Sequence, residues 1–537
     1  MRLLTADEMR EADRQTIESF GIPGRVLMEN AGRGAVRVFL ENFPDALNKA
    51  VGIAAGRGNN GGDGFVMARC LASMGADVTI FLLSEPARLS GDAAANFGLL
   101  SPLNIPVIEI PDVDAFHTLK SRMQKPMLWI DAIFGTGLNS DIRGHYRQII
   151  DFINDSGKPV FSVDIPSGLH ADIGQPLGTC IKAHATATFG AAKPGLVMAP
   201  GCACSGRLSI IDIGIPNQVI SEINSTHHLI TAEDIRAILP NRPVDTHKGN
   251  TGHVLVAACS KGKTGAGALS AIAALRAGAG LVTLAVPDTL APIIEGLALE
   301  TMTLALPATA DGALSEAGAD IILENLNDKQ CLALGPGIGT LPETGRMVRR
   351  IVENSLSPMV MDADALNLVA QNPKILKNKQ AEIVITPHPG EMARLAGTIV
   401  ADIQADRVGV AKRFAKDFGV CVVLKGARTV IAAPKGDVFI NPTGNPGMAS
   451  AGMGDALTGI IAGIIAQGHD ILTAARLGVY IHGAAADILM AETGPGFLAS
   501  EVIDTIADAV FKIKNKTISD YSQSVFSIVF HNGQAGA

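Results

Sequence analysis

The chain is expected to fold as a parallel, doubly wound α/β sheet followed by a second, larger α/β domain. Three observations predict this. Short apolar runs of strand length alternate with helical periods along nearly the whole sequence. Glycine is abundant (58 residues), aromatics are few (4%) and hydrophobic residues make up 47%, a balance suited to Ala/Val/Ile strands buried on both faces and to tightly packed helices. The alternation fails once, in the polar stretch Asn217–His228 of a chain of 537 residues, long enough for more than one core.

The elements follow in order. Thr5 is a plausible N-cap for an opening amphipathic helix. "KAVGIAAG" reads as a strand running into a glycine loop, with a helix from "DGFVMARCLASMG". "DVTIFLL", "MLWIDAIFGTG", "KPVFSVDIPSG", "ATATFGAAKPG" and "GRLSIIDIGIP" are further strands. Their turns at Asp131, Gly135–Gly137, Asp164–Gly168 and Lys193–Gly195 lie at carboxyl ends, where such sheets bind ligands. Domains are therefore expected at 1–225 and 226–515, with a tail at 516–537 of unknown order. In the second domain "GHVLVAAC", "LVTLAV", "KQCLALGPGIG", "PMVMDADALNL", "EIVITPHPGEMARL", "GVCVVLKG" and "RTVIAAP" continue the alternation, and helices begin near Asp455 and Ala474.

Charge and composition exclude several classes. A net charge of -8 gives no global basic field for nucleic acid. Seven scattered cysteines do not make a disulfide framework, and the Cys202/Cys204 pair has no partners for a zinc site, so a cytoplasmic protein is expected. The N-terminus lacks a signal-peptide core. The longest apolar run, Gly267–Val286, has Arg276 at its centre and reads as helix then strand, not as a membrane span.

"GRGNNG" places Gly56, Gly58 and Gly61 in the G-x-G-x-x-G spacing between strand and helix, as in dinucleotide-binding dehydrogenases. Yet Asn59, Asn60 and Asp63 crowd the turn, and their oxygens suit a cation, ribose or amide groups. A plain cap-and-turn, a hydride-transfer site and a different ligand site all remain open on the motif alone. Asp164 and Lys193 are the titratable residues at strand ends able to accept and return a proton, with a phosphate-binding or structural lysine as the other reading of Lys193.

The second glycine turn, "SAGMGDALTG", sets Gly452–Gly454 and Asp455 at the entry to an apolar helix. Consecutive amides there would form an anion hole. An acid beside it is either a helix cap or a base that takes a proton from an attacking hydroxyl. Its candidate partners are Lys425–Thr429 in a strand–turn–strand, "GPGIG" at Gly335–Gly339, Asp362 and Asp364, and His388 with Glu391. His388 has a structural reading too. "GKTGAG" lacks the leading glycine of a P-loop, because position 257 is Ala.

"GNNGGDG", "DAIFGTGL", "VDIPSG" and "GAAKPG", in that order, resemble the N-terminal domain of the YjeF family, the NAD(P)HX epimerases. "HKGNTGHVLV", "ALGPGIG", "DADALN", "TPHPGE", "LKGARTV" and "GNPGMASAGMGD" resemble its C-terminal domain, the ribokinase-like, ADP-dependent (S)-NAD(P)HX dehydratase. Together they cover nearly all of the chain except its tail. The resemblance implies a Rossmann-like first fold and a bifunctional enzyme for hydrated nicotinamide dinucleotides, an isomerase and a hydro-lyase. It implies that Asn59, Asn60, Gly61, Gly62 and Asp63, then Gly135, Thr136, Gly137, Leu138, Asn139, Ser140 and Asp141, with Asp164, contact NAD(P)HX at the epimerase site. Asn60, Asp131 and Ser167 would hold a potassium ion (K+). Ala266, Gly337, His388 and Asp455 would line the dehydratase site. Lys425, Gly426, Ala427, Arg428, Thr429 and Gly454 would hold ADP, with magnesium (Mg2+) assisting. Asp455 would be the catalytic base, and Asp164 and Lys193 the epimerase candidates. The expected partners are the small molecules NADHX, NADPHX and ADP, with no nucleic acid or membrane, in a homo-oligomer. A ribokinase-like small-molecule kinase fused to a dinucleotide-binding domain is the rival reading; it requires a stable phosphorylated product.

Overall fold

The computed structural model describes residues 1–239, 243–517 and 528–531. The chain divides into two compact units, one built on Arg2–His227 and the other on the residues from His228.

The first unit is the doubly wound sheet that the alternation predicts. Its strands run, in spatial order, Ile528–His531, Arg207–Ile211, Ala185–Phe189, Val160–Val163, Leu128–Ala132, Val51–Ala55, Val78–Leu82 and Val107–Glu109. Every pairing is parallel. Ile53 and Ala55 face one apolar cluster with Phe39 and Phe65, while Ala54 faces another with Phe81 and Trp129. Burial on both faces is what removes the polar alternation of a half-exposed strand. Two strands were not anticipated. Val107–Glu109 is an edge strand of three residues, too short to show a period. Ile528–His531 comes from the tail and pairs with Arg207–Ile211; the rest of the tail from 518 lies outside the described residues.

The glycine turn is also corrected. The helix begins at Asn59, not near Asp63, so Asn59–Asp63 form its first turns. Glycine disfavours a helix interior by about 1 kcal/mol, which is why the stretch reads as loop. Packing overrides that cost. A Cβ on Gly61 would lie 2.0 Å from the Gly56 carbonyl, and one on Gly56 would lie 2.0 Å from the Ile133 carbonyl.

The second unit carries a sheet ordered Val438–Ile440, Val430–Ala432, Cys421–Leu424, Ile383–Ile385, Met359–Met361, Cys331–Leu334, His253–Ala257, Leu281–Pro287 and Met302–Leu306. The run from Cys421–Leu424 to Met302–Leu306 is parallel, and the other two strands join it antiparallel. Helix Met453–Ala466 packs on the strands at its centre and on helix Thr264–Arg276. Gly459 and Gly463 make that helix pair close: a Cβ on either would meet the Ser270 or Ala274 carbonyl at 2.0 or 2.5 Å. No helix among the described residues is long and apolar enough to cross a membrane.

Candidate functional sites

Each unit has its polar cluster where the strand order reverses, as open α/β sheets require. In the first unit the reversal lies between Val51–Ala55 and Leu128–Ala132. There a cavity of about 1010 Å³ opens, lined among others by Asp13, Asn59, Asn60, Asp63, Gly135–Leu138, Asp164 and Lys193. Gly61, Gly62 and Asn139–Asp141 are not on its wall.

Asp164 sits at φ +63°, a left-handed conformation that a non-glycine residue rarely adopts. Its Oδ1 accepts from Lys193 Nζ at 2.7 Å. The same ammonium donates to Thr188 Oγ1 at 2.8 Å and to the Phe189 carbonyl at 3.2 Å, so its three protons are all committed. Lys193 is only 1% exposed. This geometry makes Lys193 a fixed buried cation that holds Asp164 toward the cavity.

Asp131 is wholly buried. Its Oδ1 accepts from Ser167 Oγ (2.5 Å) and its Oδ2 from Ser167 N and Ser162 Oγ (both 2.8 Å). Burial raises its pKa, and the hydrogen bonds from Ser167, Ser162 and Ile133 oppose that rise. Ser167 Oγ in turn accepts from Phe134 N at 2.8 Å, tying this group to the start of the Gly135 loop. The Asn60 amide is buried, yet neither its oxygen nor its nitrogen has a partner. Buried amides are normally satisfied, so Asn60 has the character of a ligand-binding group. Gly135 lies between it and Asp164, with a Cβ there meeting Asn60 Cβ and Asp164 Oδ2, each at 3.5 Å.

In the second unit the reversal falls between His253–Ala257 and Cys331–Leu334. Helix Met453–Ala466 starts after Gly452, whose φ of +88° leaves the cap without a side chain. Asp455 is therefore in the first turn and is not the N-cap, which removes the purely capping reading. Burial, then the charges of Asp362 and Asp364, push its carboxyl up to about 6 against the pull of Lys425. Lys425 Nζ pairs with Asp362 Oδ1 at 2.7 Å and lies 3.9 Å from Glu391 Oε2. Thr458 Oγ1 donates to the other Asp362 oxygen at 2.9 Å. Burial works against the charge on Asp362, but Lys425 and the hydroxyls of Thr386 and Thr458 hold its carboxyl below the ordinary value. A Cβ on Gly454 would lie 3.1 Å from Lys425 Nζ, so this glycine brings the helix start against the lysine.

Gly337 (φ +66°) packs beside Ala266, 3.2 Å from a built Cβ. Lys263 pairs with Asp364 at 2.8 Å, and Gly339 N donates to the same carboxylate. His388 caps helix Pro389–Ala396: its Nδ1 accepts from Gly390 N (3.0 Å) and Glu391 N (3.4 Å), while Glu391 accepts from His388 N (2.8 Å). The ring is half exposed, so the structural role anticipated for it coexists with a face open to ligand. Burial raises the Glu391 carboxyl to about 7. The Gly426–Thr429 turn joins two antiparallel strands, with Gly426 at φ +140° and Arg428 at φ +58°. Buried Arg407 braces it from beneath, donating to the carbonyls of Leu424, Lys425 and Ala427.

The family described as YjeF-related protein N-terminus matches residues 24–195, and the one described as NAD(P)H-hydrate dehydratase matches residues 254–508. The bifunctional NAD(P)H-hydrate repair enzyme of Moorella thermoacetica is 44% identical over 94% of this chain and 96% of its own length. The chain belongs to the family of bifunctional NAD(P)H-hydrate repair enzymes. The Thermofilum pendens member of this family is 38% identical over 93% of this chain and 94% of its own. A crystal structure of the ADP/ATP-dependent NAD(P)H-hydrate dehydratase from Bacillus subtilis matches 53% of this chain and 98% of its own at 30% identity, with a TM-score of 0.46.

Two functional candidates of this repair-enzyme chain escaped the sequence reading. Arg407 was hidden inside an ordinary amphipathic helix, Arg407–Phe418. Asp13 lies in the opening helix Ala6–Glu18, whose buried residues are Ala6, Met9, Ala12 and Thr16. A carboxylate four residues after Met9, beside that buried stripe, was the available signal.

Proposed function

We propose that the two sites divide one repair between them. The first unit interconverts the R and S forms of hydrated NADH or NADPH, and the second dehydrates the S form at the expense of ADP, releasing AMP and phosphate. The observation that carries the second assignment is Asp455, raised to about 6 at a helix start, beside the Lys425–Asp362 pair.

Hydroxide is a poor leaving group, and phosphorylation makes it a good one. Asp455 takes the proton of the substrate hydroxyl as its oxygen attacks the terminal phosphorus of ADP. The amides of Gly452–Gly454 receive the charge on the transferring group. Lys425 and the Gly426–Thr429 turn hold the nucleotide, while Ala266, Gly337 and His388 line the hydrate. Phosphate then leaves the hydroxyl-bearing carbon as the neighbouring ring carbon gives up a proton, and the electrons of that C–H bond form the double bond. Magnesium bound with ADP would neutralise phosphate charge. Glu391, buried and raised, fits as an acidic group such an ion could recruit. Among the described residues no three His, Cys, Asp or Glu side chains cluster for a metal, so phosphates and waters would supply most of its ligands.

In the first unit Asn59, Asn60, Asp63 and Gly135–Leu138, on the cavity wall, bind the dinucleotide near Asp164. Asn60, Asp131 and Ser167 offer oxygens to a potassium ion; the unpartnered Asn60 amide supports that fit. Such an ion would organise the loop that carries Gly135.

The test is to incubate the full chain with ADP, magnesium and mixed R and S hydrate, following the reduced-nicotinamide absorbance. Both epimers should be consumed. Asp455→Asn should lower NADH formation by about 10²–10⁴-fold and leave R/S interconversion intact. An unchanged rate of NADH formation would sink the assignment.

A further inference from the structure

Lys193 has no proton to spare, and its partner Asp164 is held as the acceptor of a fixed ion pair. Proton transfer in this cavity then calls for another group. Three carboxyls face the single buried ammonium: Asp164, Asp63 and Asp13. Three anions around one cation in a half-desolvated pocket cannot all stay charged. Asp63 is fully buried, and burial together with Asp164 and Asp13 drives its carboxyl well above the ordinary range.

Asp13 differs. It projects from the opening helix, whose residues Met9, Asp13 and Ile17 recur every fourth position along the cavity. The helix is pinned in place: Leu4 N donates to the Ala192 carbonyl at 3.0 Å, beside Lys193, and Ala6 N donates to Asp172 at 2.8 Å. Met9 packs over Gly190, where a Cβ would meet its Cε at 2.8 Å. One turn further on, Asp13 lines the same cavity as Asp164 and Lys193. Its carboxyl makes no hydrogen bond or ion pair with any described residue and remains accessible from the cavity. Arg10, also on the cavity wall, is paired with Asp7. Burial, with Asp164 reinforcing it and Lys193 opposing it, puts the Asp13 carboxyl at about 6.

We propose that Asp13 is the residue that protonates and later deprotonates the oxygen at the hydroxyl-bearing carbon of the hydrate. This rests on the epimerase reading of the first unit. The Asp13 acid gives its proton to the hydroxyl oxygen, and the C–O bond breaks with both electrons leaving on oxygen as water. The lone pair of the ring nitrogen closes a C=N bond to the same carbon. Water then adds to the opposite face, the C=N pair returns to nitrogen, and the proton released restores the Asp13 acid. Nothing is consumed, and only configuration changes. Asp164 and Lys193 act as positioning residues, with Asp164 an anion opposite the developing cation.

The experiment uses the full chain without ADP, so that dehydration is silent. R hydrate is supplied and S hydrate is followed by chromatography above the uncatalysed background. Asp13→Asn should lower kcat about 100-fold or more with little change in KM. Asp13→Glu should recover part of that loss. In the unaltered chain kcat should fall as pH rises through about 6, because the acid form is required. An Asp13→Asn variant with undiminished kcat overturns the proposal, as does an unaltered kcat that stays flat through that pH. If Asp13→Asn does not fold, the profile of the unaltered chain decides alone. Failure of the unaltered chain to interconvert the epimers at all would overturn the epimerase reading itself.

Discussion

Each unit holds a lysine–aspartate ion pair at the carboxyl ends of its parallel strands, and the two pairs are turned inside out relative to each other. Lys193 meets Asp164 at 2.7 Å, and Lys425 meets Asp362 at 2.7 Å. In the first unit the lysine is sealed (1% exposed) and the aspartate faces the cavity (15%). In the second the aspartate is sealed (1%) and the lysine faces outward (20%). Burying either charge alone would be costly, so each pair exists to keep its outer member charged and aimed. The outer carboxylate lies in the unit proposed to transfer a proton beside a developing cation, and the outer ammonium in the unit proposed to bind phosphate. The difference teaches that one sheet geometry yields opposite electrostatics through the choice of which partner is buried.

Removing the outer member strands the inner one, and this should give the largest effects. Lys425→Met leaves Asp362 buried without its cation, and Asp164→Asn does the same to Lys193. Each should cost about 3–5 kcal/mol in urea unfolding of its own unit, besides abolishing that unit's reaction. Lys193→Met and Asp362→Asn remove the buried charge, leave its partner free to reach water, and should cost less. Equal losses within each pair would break the comparison.

The two reactions should also respond to pH in opposite directions. As the proposed base Asp455 must be ionised, so dehydration should rise through about 6 and then level. As the proposed acid Asp13 must be protonated, so epimerisation should fall through about 6. Away from the midpoint each rate should change about tenfold per pH unit on its inactive side. Parallel profiles measured on the same preparation would contradict the assigned roles.

The smallest expected effect concerns the cation. Asn60→Ala should weaken potassium activation of epimerisation about 10–100-fold, read as the potassium concentration for half-maximal rate. Dehydration should be untouched. Equal potassium dependence of both reactions in this variant would remove Asn60 from the ion's shell.

Much of the fold was legible because buried parallel strands read as apolar runs ending in Gly, Asp and Ser turns. The runs at Val51–Ala55 and Leu128–Ala132 are five-residue strands buried on both faces. The helix start at Asn59 was not legible, since glycine-rich helix is recognisable only once the Gly56 and Ile133 carbonyls press against it. Val107–Glu109 and Ile528–His531 were too short, or too far from their sheet in sequence, to announce themselves.

By itself the sequence determined most strands of the two sheets, the second glycine turn and the families of motif that carry Asp164, Lys193, Lys425 and Asp455. Those features are local, set by residues a few positions apart. Only the tertiary structure decided what each group does with its proton. It took Asp455 out of the cap position, committed every proton of Lys193, and brought Asp13 of the opening helix to the wall of the cavity that Asp164 and Lys193 also line. Burial and neighbouring charge set a carboxyl's pKa, and both are properties of the folded surroundings that no local pattern contains.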